Sequence, residues 1–265
     1  MALCLRERGS VSKVIGVDAN EEHQRRAIEL GVVDEIMDLE EAIQHSDLVI
    51  ISVPVTAATS VTLRVLGLVS HQVVIDVGST KAELCSAVNE HPKRGRFVAT
   101  HPMWGTEFSG PEAATRYAFA GKAVVIIDKD YSDMDAADTI ENLYRSLGMH
   151  LLYMNAENHD LHTAYISHIS HITSFALANT VLEKEKEEDA IFELASGGFE
   201  STVRLAKSNA DTWVPIFMQN KENVLDVLNE HISQLRKFKA SLEKENWDYL
   251  RELITHANEI KRILK

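Results

Sequence analysis

The chain has 265 residues, 45% of them hydrophobic and 25% charged, a composition typical of globular proteins with one large domain or two modest ones. This composition excludes disordered and fibrous proteins. The 27 basic and 40 acidic side chains give a net charge of -13, so no overall basic field exists to hold nucleic acid or an anionic membrane. Cys4 and Cys85 do not form a CxxC pair, which indicates a reducing compartment, by default the cytoplasm. No apolar run approaches the roughly 18 residues of a membrane span.

Short apolar runs alternate with amphipathic segments through the first half of the chain. Strands are predicted at 14–18, 48–53, 73–77, 97–100 and 123–127, with helices at about 21–30, 56–70, 79–91 and 134–147. The runs are nearly continuous in Val, Ile and Leu, which is typical of parallel strands buried on both faces. This alternation predicts a doubly wound, Rossmann-like α/β domain that binds ligands at the carboxyl ends of its strands.

From residue 157 onward, apolar residues recur at helical spacing and no strand pattern follows. One broad stripe, which includes Leu161, Ala164, Tyr165, His168 and Ile172, predicts a helix over about 157–184, and two more stripes cover 224–238 and 247–263. We therefore divide the chain into a dinucleotide-binding domain, 1–155, and a helical domain, 156–265. Long apolar helices generally need a partner surface, so we expect a homodimer built from the helical domain.

Asp18 ends the first predicted strand. In a dinucleotide-binding fold an acid at this position accepts hydrogen bonds from the adenosine ribose, which favours NAD, although Arg25 and Arg26 leave NADP open. The alternative is an aspartate that only caps the following helix. No glycine-rich turn G-x-G-x-x-G precedes Asp18. Residues 1–8 instead resemble the helix that follows such a turn, with Gly9 as its C-cap, so we expect the domain to lack its first strand and its phosphate-binding loop.

Three further strands end in residues suited to a ligand crevice. Val53-Pro54 ends one strand and Gly78-Ser79 follows the next. Ser79 is expected either to present its hydroxyl to a ligand or to cap the following helix. His101 ends the third strand, ahead of a loop with two glycines and two prolines. An imidazole titrates near neutrality, so His101 is a candidate general base, whereas the alternative is a structural histidine in a turn.

The helical half contains four histidines along one predicted helix. His168 and His171 share a face and lie on the apolar stripe, where an imidazole needs a polar partner. A metal pair is one interpretation and a packing network of histidines is the other. No suitably spaced carboxylate or thiolate completes a metal shell, and His159 and His162 are about two turns away, so we expect no metal.

A short helix follows the Gly197-Gly198 turn and carries Arg204. A guanidinium group binds carboxylates in a bidentate manner, so Arg204 is a candidate for a substrate carboxylate. The alternative is an ordinary surface ion pair.

Taken together, four blocks resemble the prephenate/arogenate dehydrogenases, the enzymes of tyrosine biosynthesis. They are DVGSTK at 76–81, HPMWGTEFSG at 101–110, SHISHITSFAL at 167–177 and SGGFESTVRLAKS at 196–208. The resemblance covers essentially the whole chain, in order. Two features depart from it: the glycine-rich turn does not occur, and Trp104 stands where many relatives carry a small residue, so that it either shapes the pocket or packs under the loop.

The resemblance implies oxidative decarboxylation of prephenate to 4-hydroxyphenylpyruvate, with hydride transfer to NAD. His101 would take the proton of the ring hydroxyl, and Ser79 would orient that histidine and the hydroxyl. The substrate-binding residues that it implies are Arg204, for a carboxylate, with His171, His168, Glu107 and Gly197. Those that it implies for the cofactor are Asp18, Val53, Pro54 and Gly78.

Other functions stay open at this point. Arogenate carries an amino group where prephenate has a keto group, and the sequence does not separate the two. A β-hydroxyacid dehydrogenase would have a similar layout, but those enzymes rely on a lysine on the long helix, where this chain has His168 and His171. A catalytically impaired dimer or truncated fragment is a third hypothesis, motivated by the missing glycine-rich turn.

Overall fold

The computed structural model describes residues 1–106, 108, 110–186 and 191–263. It confirms the predicted alternation of strands and helices in the first half of the chain. The strands are β1 (Ile15–Gly16), β2 (Glu35–Ile36), β3 (Leu48–Ile51), β4 (Val73–Asp76), β5 (Phe97–Pro102), β6 (Ala123–Ile127) and β7 (His150–Met154). The helices are α1 (Ala2–Glu7), α2 (Glu21–Glu29), α3 (Leu39–Gln44), α4 (Val55–Leu68), α5 (Ala82–Val88) and α6 (Met134–Ser146).

Local chemistry sets the limits of the first helices. The Asn20 side chain caps α2 by accepting from the backbone N–H groups of Glu22 and His23, at 2.9 and 3.2 Å. Gly9 and Gly31 follow α1 and α2 with φ of 64° and 66°, a conformation that favours glycine and ends a helix. The sequence predicted Gly9 in this role.

The strands form two sheets. β1 pairs with β2 in parallel, and the larger sheet has the order β3-β4-β5-β6-β7. No described strand joins the two sheets, and α1 precedes β1. In the larger sheet β3, β4 and β5 are parallel, with Ile51 opposite Asp76 and Asp76 opposite Ala99. The segments that follow these three strands therefore meet at one edge of the sheet.

One strand runs against the prediction of a uniformly parallel sheet. β6 is antiparallel to β5, with His101 opposite Val125. The described residues between the two strands form only one short 3-10 turn, Pro111–Ala113, so no helix carries the chain across the sheet face for a parallel return. β6 is nonetheless almost completely buried, which explains why its sequence resembles that of a parallel strand.

Helices cover both faces of the larger sheet. Alternate residues of β4 face opposite sides: Val73 and Ile75 pack with α1 and α6, and Val74 packs with α4 and α5. These two layers hold the carboxyl ends of β3, β4 and β5 in a fixed frame.

The second half is helical where the structure describes it. Its helices are α7 (Ala156–Thr163), α8 (Ile169–Glu185), α9 (Gly197–Val203), α10 (Ala210–Gln219), α11 (Lys221–Glu243) and α12 (Trp247–Ala257). A π-helical turn, Ala164–His168, joins α7 to α8. Gly197 and Gly198 form the first turn of α9, so the prediction that they precede the helix is wrong. Among the described residues, no helix is both long enough and apolar enough to span a lipid bilayer.

Candidate active site

A buried ion pair fixes the loop after β4. Asp76 is 1% exposed and Lys81 is 0% exposed, and their charged groups are in direct contact. Asp76 Oδ2 also accepts from the backbone N–H of Gly78 at 3.0 Å, and Thr100 on β5 donates its hydroxyl to the Asp76 carbonyl at 2.6 Å. A Cβ at Gly78 would lie 3.1 Å from Asp76 Oδ2, so this close approach favours glycine.

Ser79 follows in the same loop and is half-buried. The alternative that Ser79 caps α5 is wrong, because that helix begins at Ala82 and the Asp160 carboxylate takes its first backbone N–H groups. Lys81 N–H donates to Asp160 Oδ1 at 2.8 Å and Ala82 N–H donates to Oδ2 at 2.9 Å. No described residue hydrogen-bonds the Ser79 hydroxyl, which leaves it available to a ligand.

His101, at the carboxyl end of β5, contacts the second half of the chain. Its Nδ1 lies 2.8 Å from Nε2 of His159 on α7, and Nδ1 of His159 lies 2.8 Å from Asp160 Oδ1. His159 is 1% exposed and Asp160 is 3% exposed. A continuous hydrogen-bonded chain thus runs from the loop after β4, through α7, to the predicted base.

The surroundings of His101 keep its imidazole neutral. Burial lowers the pKa of His101 well below its ordinary value of 6.5, and His159, the Lys81 ammonium and His168 lower it further. Nε2, on the side of the ring away from His159, makes no hydrogen bond with a described residue. A neutral imidazole with an unpaired nitrogen can accept a proton.

His168 and His171 form an aromatic wall with Trp213 of α10. The His171 and Trp213 rings are stacked, with centroids 3.4 Å apart and planes at 25°. His168 meets Trp213 edge-on at 6.0 Å, and its Nδ1 lies 3.2 Å from the Asn220 side-chain amide. His171 Nδ1 donates to the Ser167 carbonyl at 3.0 Å, which leaves its Nε2 as an acceptor.

Both histidines are neutral near pH 7. Burial lowers the pKa of His168 to about 4, opposed by the Asp160 carboxylate, while His171 and His159 lower it further. Burial also lowers the pKa of His171, which the Ser167 carbonyl raises and the Arg204 guanidinium lowers. The wall is therefore apolar and uncharged except where Arg204 approaches it.

Arg204 begins a 3-10 turn, Arg204–Lys207, directly after α9, and it is exposed. The turn packs against α8, the helix that carries His171, and the Arg204 guanidinium lowers the pKa of His171. Gly197, the first residue of α9, is open on the side where a Cβ would point, with nothing within 4 Å. The described contacts do not require a glycine at 197.

Asp18 lies two residues beyond β1 and is exposed. Its Oδ1 accepts from the Asn20 backbone N–H at 2.8 Å, and its Oδ2 lies 3.6 Å from His23 Nδ1. Because Asn20 caps α2, the alternative that Asp18 caps this helix is wrong. The exposed carboxylate suits the hydroxyls of an adenosine ribose.

The two arginines of α2 are held by carboxylates. Arg25 contacts Glu22 and also Glu29, the latter at 2.7 Å, while Arg26 Nε donates to Glu112 at 2.7 Å. The hydrogen bonds that the two guanidinium groups donate to these carboxylates raise the pKa of both arginines.

The predicted cofactor residues lie beyond the carboxyl ends of three parallel strands. Asp18 stands beyond β1, and Val53, Pro54 and Gly78 follow β3 and β4 at the carboxyl edge. Val53 is half-buried and Pro54 is exposed. No glycine-rich turn for the pyrophosphate accompanies them in the sequence.

Glu107 is outside the described residues. The Trp104 ring packs against Phe119 at a centroid distance of 5.6 Å and joins the core beside α1 and α6, which supports packing under the loop. No group of three or more described His, Cys, Asp and Glu side chains is arranged to hold a metal ion.

Sequence reasoning missed four residues that build the site. Lys81 was part of a matching block, and His159 entered only the metal and histidine-packing interpretations, while Asp160 and Trp213 received no role. The adjacent His159 and Asp160 were a usable signal, because a carboxylate that accepts from one ring nitrogen of a histidine fixes which nitrogen carries the proton. Trp213 had no comparable signal, since its contact with His171 joins two separate helices.

Comparisons with known proteins match both halves of the chain. The family model for the prephenate dehydrogenase nucleotide-binding domain matches residues 1–153, and that for the prephenate dehydrogenase dimerization domain matches residues 155–256. A prephenate dehydrogenase from Bacillus subtilis is 30% identical over 94% of this chain and 68% of its own length. A cyclohexadienyl dehydrogenase from Zymomonas mobilis is 28% identical over 91% of this chain and 82% of its own length.

The solved structures give the same result. The crystal structure of prephenate dehydrogenase from Aquifex aeolicus in complex with hydroxyphenyl propionate and NAD+ is 30% identical in sequence, with a TM-score of 0.88. The match covers 99% of this chain and 92% of that one. With a nucleotide-binding domain followed by a helical dimerization domain, the chain belongs to the prephenate dehydrogenase family.

Proposed function

We propose that this protein oxidatively decarboxylates prephenate to 4-hydroxyphenylpyruvate, with NAD as the hydride acceptor. One observation carries the proposal: a neutral imidazole, His101, with Nδ1 held by His159 and Nε2 unpaired, at the carboxyl edge of a dinucleotide-binding sheet. The names of the relatives support the same reaction class.

The reaction balances without a further co-reactant. NAD, when bound, accepts the hydride from the ring carbon that carries the hydroxyl. His101 Nε2 takes the hydroxyl proton, so that the O–H bond breaks as a carbonyl forms. The bond between the ring and its carboxylate then breaks, carbon dioxide leaves, and the electron pair completes the aromatic ring. The ring oxygen regains its proton from His101.

Side chains from both halves are suited to hold the substrate. Arg204 is suited to a substrate carboxylate, because a guanidinium group forms two parallel hydrogen bonds with it. The stacked His171 and Trp213 offer a flat, uncharged surface to the substrate, with His171 Nε2 as an acceptor. Ser79, whose hydroxyl has no partner among the described residues, is suited to orient the substrate hydroxyl toward His101.

The charges around Asp18 favour NAD over NADP. Arg25 and Arg26, the cations of α2, are already paired with Glu22, Glu29 and Glu112. A 2′-phosphate would have to displace these carboxylates and would meet the Asp18 carboxylate as well. Repulsion between like charges therefore disfavours the phosphorylated cofactor.

The helical half favours a homodimer. In the single chain, several large apolar side chains of α11 and α12 are half or more exposed: Leu235, Leu242, Trp247 and Ile254. Exposed apolar surface of this kind marks protein interfaces. The match of this region to a dimerization domain supports a second copy as the partner.

The experiment is a turnover assay with prephenate and NAD, which follows NADH by absorbance and 4-hydroxyphenylpyruvate by chromatography. His101→Asn keeps a polar side chain but removes the base, so kcat is expected to fall by about 10²- to 10⁴-fold with unchanged NAD affinity. His162→Asn, on an exposed position of α7, is the matched control and should leave kcat unchanged. Arogenate in place of prephenate tests the amino-group alternative.

Two results would contradict the proposal. One is an unaltered protein that forms no 4-hydroxyphenylpyruvate from prephenate and NAD. The other is a His101→Asn variant that turns over as fast as the His162→Asn control.

A further inference from the structure

We propose that His159 and Asp160 are positioning residues that fix the tautomer of His101 and share the positive charge that His101 gains during the reaction. The inference rests on the proposed function of His101 as the base. It assigns the two residues of α7 a part in proton transfer, although neither is proposed to touch the substrate.

The hydrogen bonds define the direction of every proton in the chain. The Asp160 carboxylate can only accept, so the group that it meets at 2.8 Å is the N–H at Nδ1 of His159. Nε2 of a neutral His159 is then an acceptor, and it meets Nδ1 of His101 at 2.8 Å. His101 therefore carries its proton on Nδ1, and the lone pair is on Nε2, where a general base needs it.

Asp160 is itself held from several directions. The backbone N–H groups of Lys81 and Ala82 donate to its two carboxylate oxygens at 2.8 and 2.9 Å. Its own carbonyl accepts from the side-chain amide of Asn220 at 2.6 Å. With Asp160 3% exposed and both of its oxygens in fixed contacts, the carboxylate has little freedom to release His159.

The same series of hydrogen bonds, from His101 through His159 to Asp160, compensates the positive charge that forms on His101. When Nε2 of His101 binds the substrate proton, one N–H bond forms and the imidazole becomes a cation. The charged and titratable groups that face His101 are His159, Lys81 and His168. Lys81 is a cation already paired with Asp76, and His168 is neutral at pH 7 because burial holds its pKa at about 4. The negative charge that the hydrogen-bonded chain brings toward His101 is that of Asp160, which contacts Nδ1 of His159.

Two variants of His159 separate its two contacts. A glutamine places its amide near the position of Nε2, so His159→Gln keeps an acceptor for His101 and loses the contact with Asp160. An asparagine places its amide near the position of Nδ1, so His159→Asn keeps the contact with Asp160 and loses the one with His101. We expect His159→Asn to lose kcat by about 10- to 100-fold and His159→Gln to retain about tenfold more activity. His162→Asn again serves as the control on the same helix.

Asp160→Asn tests the charge. Removal of the carboxylate makes protonation of His101 less favourable, so its pKa falls and the acidic limb of the kcat/KM profile moves to lower pH. The effect on kcat is expected to exceed that on KM. A purely structural contact would lower stability and leave the position of the acidic limb unchanged.

A spectroscopic measurement tests the tautomer of His101 without an activity assay. In the unaltered protein, ¹⁵N NMR of the His101 imidazole should show a protonated Nδ1 and an unprotonated Nε2 near pH 7, and His159→Asn should give a mixture of tautomers. A protonated Nε2 in the unaltered protein would overturn the inference. So would equal kcat for the two His159 variants together with an unmoved acidic limb for Asp160→Asn. If His101→Asn itself remains active, the proposed function fails instead, while the tautomer measurement still stands.

Discussion

Replacing Lys81 with methionine is expected to destabilise the protein strongly. Lys81 and Asp76 are 0% and 1% exposed, so the substitution leaves a buried carboxylate without its cation, which costs about 3–5 kcal/mol. The backbone N–H groups of Gly78 and Thr100 still donate to that carboxylate, at 3.0 and 3.4 Å, so we expect a loss near the lower limit, about 3 kcal/mol. In a chain of this length such a loss lowers Tm by about 6–12 °C.

The assay is urea unfolding at pH 7, monitored by circular dichroism. It compares the single variants Lys81→Met and Asp76→Asn with the double variant Asp76→Asn/Lys81→Met. Removal of both charges leaves no buried ion, so the double variant should be less destabilised than the sum of the single variants by at least about 1 kcal/mol. Lys239→Met, from an exposed pair with Glu243 on α11, is the control and should change stability by less than about 0.5 kcal/mol. A loss below about 1 kcal/mol for Lys81→Met, or strict additivity in the double variant, would refute the reasoning.

Three further predictions concern titration, cofactor choice and assembly. The pKa of His168 is about 4 in the folded protein and near 6.5 in the unfolded chain, so the unfolded chain binds the extra proton between these values. The free energy of unfolding should therefore fall by up to about 3 kcal/mol from pH 6.5 to pH 4. His168→Gln should flatten this pH dependence in urea unfolding, whereas an equally steep curve would contradict the prediction. The kcat/KM for NAD should exceed the kcat/KM for NADP by at least about tenfold. Asp18→Ser should reduce this NAD-to-NADP ratio, and an unchanged ratio would contradict the prediction. Light scattering should give a dimer mass at micromolar concentration, and Ile254→Glu should shift it toward a monomer, while a monomer before substitution would count against the interface.

The sequence predicted the parts of the fold that depend on local pattern. Continuous apolar runs located β4 and β6, and helical spacing located α6, because these elements bury most of their apolar residues. The same spacing located α11, although Leu235 and Leu242 on it are exposed in the single chain. The direction of β6 could not be predicted from its own residues, since burial on both faces produces the same composition in either orientation. The two-residue β2 and the six-residue α3 were not predicted.

The sequence predicted individual residues of the site and did not predict the hydrogen bonds that connect them. His101 and Ser79 end strands, and strand ends are visible in the sequence. The hydrogen bonds around these two residues come from Asp160. Asp160 accepts from the backbone N–H groups of Lys81 and Ala82, which lie 79 and 78 residues earlier in the chain. One carboxylate thereby replaces the predicted helix cap and orients the base. Nothing local to the β4–α5 loop indicates that its partner is on α7.

The π-helical turn at Ala164–His168 changes the register of the long helix between Asp160 and His168. At 100° per residue, the eight residues from Asp160 to His168 would place the two about 80° apart around the axis. A π turn takes up one additional residue, which would reduce this angle to about 20°. The side-chain amide of Asn220 contacts both, the Asp160 carbonyl at 2.6 Å and His168 Nδ1 at 3.2 Å. Tyr165, predicted on the apolar stripe, is turned outward and is 43% exposed. A regular period could not predict this face, and π turns are frequent at functional sites because they redirect side chains in this way.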